Sequence, residues 1–234
     1  CGGTGLIGFL HTAQQHVDTF DGLLAQHSPM TPREHLVRAD LLEHIRTCGD
    51  TPALRQDVFD AIQTLARAAE VIVCTCSSLG AIAENLDMSV PVLRVDRALA
   101  EAAGQCKRVL VLVTLESTQA PTSSLFTDTN RHANNQAVID IQLCEGAWEA
   151  FARGDLETYA QRIADAAQKH CQKHPYDVIA LAQASMAVAL NQPNFPDLPA
   201  LTSPPLGIQT ALKHLKNTTN KNITYNHTTK ESSC

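Results

Sequence analysis

Cys76 has the most chemistry open to it: a thiol followed at once by Ser77 and Ser78, just beyond the aliphatic run 71–73. A deprotonated thiol is both nucleophile and base, and a helix N-terminus or a neighbouring cation favours the thiolate. Other short polar side chains hold the same place relative to other aliphatic runs. His11 and Thr12 follow residues 6–10, Thr114, Ser117 and Thr118 follow 109–113, and Ala184 and Ser185 follow 178–182. In a parallel α/β sheet such positions ring the crevice beyond the carboxyl ends of the strands, where helix N-termini offer unpaired N–H groups to anions. The N–H groups of Ser77 and Ser78, with the hydroxyls of Thr12, Thr114, Thr118 and Ser185, are candidates for holding an anionic ligand there.

The elements that must position these groups are legible as short runs, apolar on both faces, at 6–10, 71–73, 90–95, 109–113 and 178–182. Runs of that length match buried parallel strands. Between them lie helical stripes, one through Leu54, Val58, Ile62 and Leu65, another through Leu156, Tyr159, Ile163 and Ala167 with Asp155 as its cap. Strand and helix alternate, which predicts an α/β fold with parallel sheets covered on both sides. The chain also matches itself. Thr12 and Thr114 end similar segments 102 positions apart, and the runs starting at Val71 and Val178 lie 107 apart, each followed by a small, hydroxyl-bearing turn. These offsets predict two similar three-layer lobes related by a pseudo-twofold axis.

Composition narrows the function. The 234 residues are 44% apolar, enough for a sizeable core, and the formal charge of −6 disfavours a nucleic-acid partner, whose footprint is a basic face. No apolar stretch approaches the ~18 residues of a membrane span, so no membrane association is expected. Nothing after Cys1 reads as a secretory signal, and the eight cysteines are not arranged as a disulfide framework, so reduced thiols in a cytoplasmic protein are expected. Cys74 and Cys76 are spaced for one face of a strand, not for a zinc knuckle, and no metal site is expected. His170 and His174 flank Cys171 one helical turn apart but without a third ligand. His35 and Arg38 are spaced for one helix face, and Arg38 would pair with Asp40 or Glu34 or meet a carboxylate. Arg94 and Asp96 would end a strand or form a hinge pair.

Four segments together, Ile7-Gly8-Phe9-Leu10-His11-Thr12, Val73-Cys74-Thr75-Cys76-Ser77-Ser78-Leu79-Gly80, Pro91-Val92-Leu93-Arg94-Val95-Asp96 and Leu181-Ala182-Gln183-Ala184-Ser185-Met186-Ala187, with Leu201-Thr202-Ser203-Pro204 near the end, resemble the aspartate/glutamate racemase superfamily. That group includes glutamate, aspartate and hydantoin racemases, maleate isomerases and arylmalonate decarboxylases. The resemblance implies a lobe of residues 1–95 completed by 202–216, a second lobe of 96–201, and a site in the cleft between them. Residues 217–234 read as a disordered tail. The resemblance also implies a cofactor-independent isomerase or lyase that moves a proton beside the carboxylate of a small amino, hydroxy or dicarboxylic acid, and a homodimer.

The family's first cysteine matches Cys76. Its second falls on Ala184, or on Gln183 if the repeat is aligned without a gap, and neither is a thiol. Two-base racemisation needs a proton-transfer group on each face of a planar carbanion, which alanine does not supply. One thiol can still protonate a carbanion left by decarboxylation, add to an alkene or carbonyl, or exchange a proton. His11, where the family often places an aspartate, is the expected assistant of the thiol. The alternative is a non-catalytic carboxylate-binding protein.

Overall fold

The computed structural model describes residues 5–228, with side chains through residue 217. The first half runs β1 (Ile7–His11), α1 (Gln15–His27), β2 (Arg33–Val37), α2 (Ala39–Cys48), α3 (Pro52–Ala66), β3 (Val71–Cys74), α4 (Ser77–Glu84) and β4 (Val92–Arg94). The second runs α5 (Arg97–Ala103), β5 (Arg108–Val113), a 3-10 turn at Glu116–Thr118, α6 (Gln119–His132), β6 (Val138–Leu143), α7 (Ala147–Ala152), α8 (Leu156–Cys171), β7 (Val178–Leu181), a 3-10 helix at Ala184–Asn191, β8 (Ala200–Thr202) and α9 (Ser203–Thr228). The strands form two four-stranded parallel sheets of identical topology, β2-β1-β3-β4 and β6-β5-β7-β8. The expected tail at 217–234 falls almost wholly on residues whose side chains or placement lie outside the described set.

Register makes the duplication concrete. Ile7 pairs with Val71 in one sheet and Val109 with Val178 in the other, so residues 7 and 109 correspond, as do 71 and 178. Both offsets read from the sequence are reproduced. Side-chain alternation then builds a three-layer unit from each sheet. Ile7, Phe9, Val71 and Val73 pack on α1 and α9, while Leu10, Ile72 and Cys74 pack on α3 and α4. In the second sheet Val109, Val111 and Ala180 face α5 and α6, and Leu110, Leu112 and Ile179 face α7 and α8. Gly8 admits α3 at short range: a Cβ there would stand 3.1 Å from that of Ala69 and 3.2 Å from that of Leu65.

Five of the eight strands coincide with the aliphatic runs. The other three, β2, β6 and β8, are only partly buried, and β2 and β6 carry polar residues, since an edge strand has fewer covered faces to fill with apolar side chains. The turn-rich segment expected at 199–205 contains β8. His35 and Arg38 do not share a helix: His35 lies in β2 and Arg38 precedes α2, bonded to Asp40 at 2.6 Å. Asp155 caps α8 as expected, accepting from the Thr158 N–H at 3.1 Å. Arg94 and Asp96 form a bidentate pair, at 2.7 and 3.0 Å, beneath the first sheet's edge. No described helix is long and apolar enough to cross a membrane, and no group of three or more described His, Cys, Asp or Glu side chains is arranged to hold a metal ion.

Candidate active site

The two lobes meet where β3 and β7 end. Ser77 donates across the junction to the Ala182 carbonyl at 3.0 Å, and the hydroxyls of Ser78 and Ser117 stand 3.5 Å apart. Between the lobes lies a cavity of about 40 Å³. That volume admits on the order of one to three water-sized groups, enough for a carboxylate and little else. The first lobe lines it with Thr12, Ala13, His16, Leu42, Thr75, Cys76, Ser77 and Ser78, and the second with Leu115, Thr118, Trp148, Phe151, Gln183, Ala184 and Ser185. None of these is an acid, a lysine or an arginine. A wider recess of about 440 Å³, lined by Arg46, Thr114 and Glu149 among others, shares Leu115 and Trp148 with the cavity.

Cys76 is the N-cap of α4, with extended backbone that turns the chain from strand into helix. The nearby Thr12 hydroxyl and the N–H groups of Ser78 and Leu79 favour the thiolate, although the side chain makes no capping hydrogen bond and the Leu79 N–H is given to the Cys76 carbonyl at 3.2 Å. Burial acts the other way and is the larger effect: with 7% of the residue exposed and no cation in the wall, the thiol is pushed up from its ordinary range. The helix N-terminus that the sequence offers as an activator therefore moderates the thiol without producing a resting thiolate.

In the second lobe, Gln183 occupies the place of Cys76. It lies 107 positions on, in the offset set by the strand register, and is likewise the extended N-cap of the helix that follows its strand. The ungapped alignment is the one the register selects. A threonine stands beside each: Thr12 lies near Cys76 and favours its thiolate, and Thr114 donates to Gln183 Oε1 at 2.8 Å, joined by the Thr114 N–H. Because that oxygen is engaged, the Gln183 amide nitrogen is the end left to donate to a ligand. A carboxamide can hold an oxygen but cannot take a proton at neutral pH.

The structure brings Cys76, Thr12, Ser77, Ser78, Thr118 and Ser185 to one cavity. Their hydroxyls are mostly committed: Ser77 to Ala182, Thr118 to the Leu115 carbonyl at 2.5 Å, and Ser185 to the Tyr159 hydroxyl at 2.7 Å. Thr114 faces the wider recess and reaches the cavity only through Gln183. His11 is not among the cavity's lining residues. Its Nδ1 lies 2.8 Å from the Thr75 hydroxyl and its Nε2 2.8 Å from His35 Nδ1. Since Thr75 gives its proton to the Leu10 carbonyl, His11 Nδ1 must donate and its Nε2 must accept from His35. Burial, with His16 and His35 nearby, lowers His11 to about 3.

Sequence reasoning passed over His16, Trp148 and Phe151. His16 lies in the first turn of α1, four residues after Thr12, and is 9% exposed. The His11-Thr12-Ala13-Gln14-Gln15-His16 spacing places it near Thr12, but only packing shows which way its ring faces. Trp148 and Phe151 come from α7, and Arg46 of the first lobe stacks over Trp148 at 5.4 Å from the ring centre.

No protein-family model and no curated protein sequence matches the chain. Solved structures do. An aspartate racemase from Picrophilus torridus superposes with a TM-score of 0.70 at 12% identity, over 91% of this chain and 94% of that one. A glutamate racemase from Francisella tularensis in complex with D-glutamate gives 0.71 at 13% identity, over 92% and 83%. A mutant of arylmalonate decarboxylase in a sulfate-associated form gives 0.59 at 17%, over 90% and 93%. The chain thus has the two-lobed α/β fold of the aspartate and glutamate racemase structures.

Proposed function

We propose that the chain is a cofactor-independent isomerase or lyase of the aspartate/glutamate racemase superfamily, with Cys76 moving a proton at the carbon beside the carboxylate of a small acid. The observation that carries this reading is the setting of Cys76: a thiol at a helix N-terminus, with the Thr12 hydroxyl nearby, opening on a cavity between two duplicated lobes. A substrate carboxylate would be held by N–H dipoles, from the turn at Ser77 and Ser78 and from Gln183. Such donors gain strength in a cavity without bulk water, where one lost donor costs ~3 kcal/mol of transition-state stabilisation.

The cavity wall also bears on the substrate. Leu42, Leu115, Trp148 and Phe151 offer nothing to a second charge, and no acidic side chain is present to pair with an ammonium group. An acid whose one carboxylate fills the cavity and whose apolar remainder lies along Leu115 and Trp148 toward the wider recess fits better than aspartate or glutamate. Incubation with alanine, aspartate, mandelate and phenylmalonate in D₂O tests the reading. Deuterium incorporation, inversion or decarboxylation that disappears in Cys76→Ala is expected. A wild-type protein that leaves all four acids unchanged would refute it.

One observation favours the second reading, a carboxylate-binding protein without turnover. Gln183 keeps the threonine contact of its lobe yet replaces the position at which a second thiol would stand. Saturable binding of the same acids that survives Cys76→Ala, with no chemistry, would select it.

A further inference from the structure

Resting on the function proposed above, we propose that His16 is the general base of this site and Cys76 its general acid. Among the residues that line the cavity, His16 is the one side chain with a basic atom at neutral pH. Its ring is nine-tenths buried, and its Nδ1 has no hydrogen-bond partner. A buried polar group without a partner costs ~1–3 kcal/mol, so an imidazole left in this condition against a cavity calls for a ligand to bond. His16 follows Thr12 by four residues, and Thr12, His16 and Cys76 line the same cavity, so both ends of a proton transfer meet in one small space. The electrostatics fix which group carries the proton at rest. Burial lowers His16 to about 4 and pushes Cys76 up, so the resting pair is neutral imidazole and neutral thiol. A neutral thiol can give a proton but not take one, which leaves the ring as the acceptor.

The step balances without any co-reactant. The bond between the α-carbon and its hydrogen breaks, the electron pair stays in the enediolate, and the proton goes to the unprotonated ring nitrogen of His16. The Cys76 S–H bond then breaks, its proton goes to the α-carbon, and the pair remains on sulfur, a charge that the nearby Thr12 hydroxyl and the N–H groups of Ser78 and Leu79 favour. Imidazolium and thiolate return to their neutral forms by exchanging one proton. His11, with both nitrogens engaged by Thr75 and His35, is left as a buried support of the wall.

The test measures deuterium exchange into the four acids named above by wild type, Cys76→Ala, His16→Gln and His16→Ala. General-base removal is worth roughly 10²–10⁴ in rate, so His16→Gln should lose at least a hundredfold. Free imidazole should restore His16→Ala at least tenfold, in proportion to its unprotonated form, a response that a merely structural role would not produce. Wild-type exchange that depends on Cys76 while His16→Gln keeps a third or more of it overturns this inference alone. A hundredfold loss with no imidazole rescue in a His16→Ala protein of native circular dichroism also overturns it, by making the ring structural. No Cys76-dependent exchange in wild type overturns the parent reading and this one with it.

Discussion

Mild acidification should destabilise this protein through two buried rings. His11 is held at about 3 and His16 at about 4, both below the ordinary 6.5. In the unfolded chain they regain that ordinary value, so between pH 6.5 and about 4 the unfolded state binds protons that the native state refuses. Stability is then fully present above 6.5 and lost as pH falls. At pH 5 the difference amounts to about 2 kcal/mol for each ring, about 4 together. Against a typical stability of ~5–15 kcal/mol this is a large share. The carboxylates held low by partners, such as Asp21 beside Arg33 and Asp40 beside Arg38, weaken the fold only below their ordinary range and so outside this window. Urea titrations at pH 7 and pH 5 read the effect. Wild type should lose about 4 kcal/mol, and His16→Gln, with one ring gone, about half of that between the same two pH values. A wild-type stability unchanged within about 1 kcal/mol, or a variant that falls as steeply as wild type, would show that the rings are not buried neutral as described.

Three further outcomes are expected. Thr12→Val removes the hydroxyl that favours the Cys76 thiolate; a hydrogen bond to a charged group is worth ~1.5–3 kcal/mol, so peptide-resolved alkylation of Cys76 by iodoacetamide should slow roughly tenfold or more, while exposed Cys48 reacts as before. Equal Cys76 rates in the two proteins would contradict the contact. Asp96→Ala strands Arg94, whose side chain is 4% exposed, and should cost ~3–5 kcal/mol in urea; a loss below about 1 kcal/mol would mean that water reaches the pair. Thr114→Val leaves the Thr114 N–H on Gln183 and removes only the hydroxyl, so a cost near ~1 kcal/mol is expected, and a loss above about 3 kcal/mol would show a larger role for the residue.

The sequence alone determined whatever depends on neighbours along the chain. Strands β1, β3, β4, β5 and β7 sit inside their sheets or beside them as dense aliphatic runs, and a run that is apolar on both faces announces itself without tertiary information. The repeat of Thr12 at Thr114, and the small turns after β3 and β7, likewise survive as local patterns. Tertiary structure decided the rest. Strands β2 and β6 are edges whose polar residues look like loops until a neighbouring strand pairs with them. Whether Gln183 or Ala184 answers Cys76 depends on register between strands more than sixty residues apart. His11 and His16 have the same side chain five positions apart, and only packing turns one into a sealed wall and the other toward the cavity. The state of the Cys76 thiol follows the same rule, because a helix N-terminus is a local feature, whereas desolvation sums over every segment that folds around the sulfur.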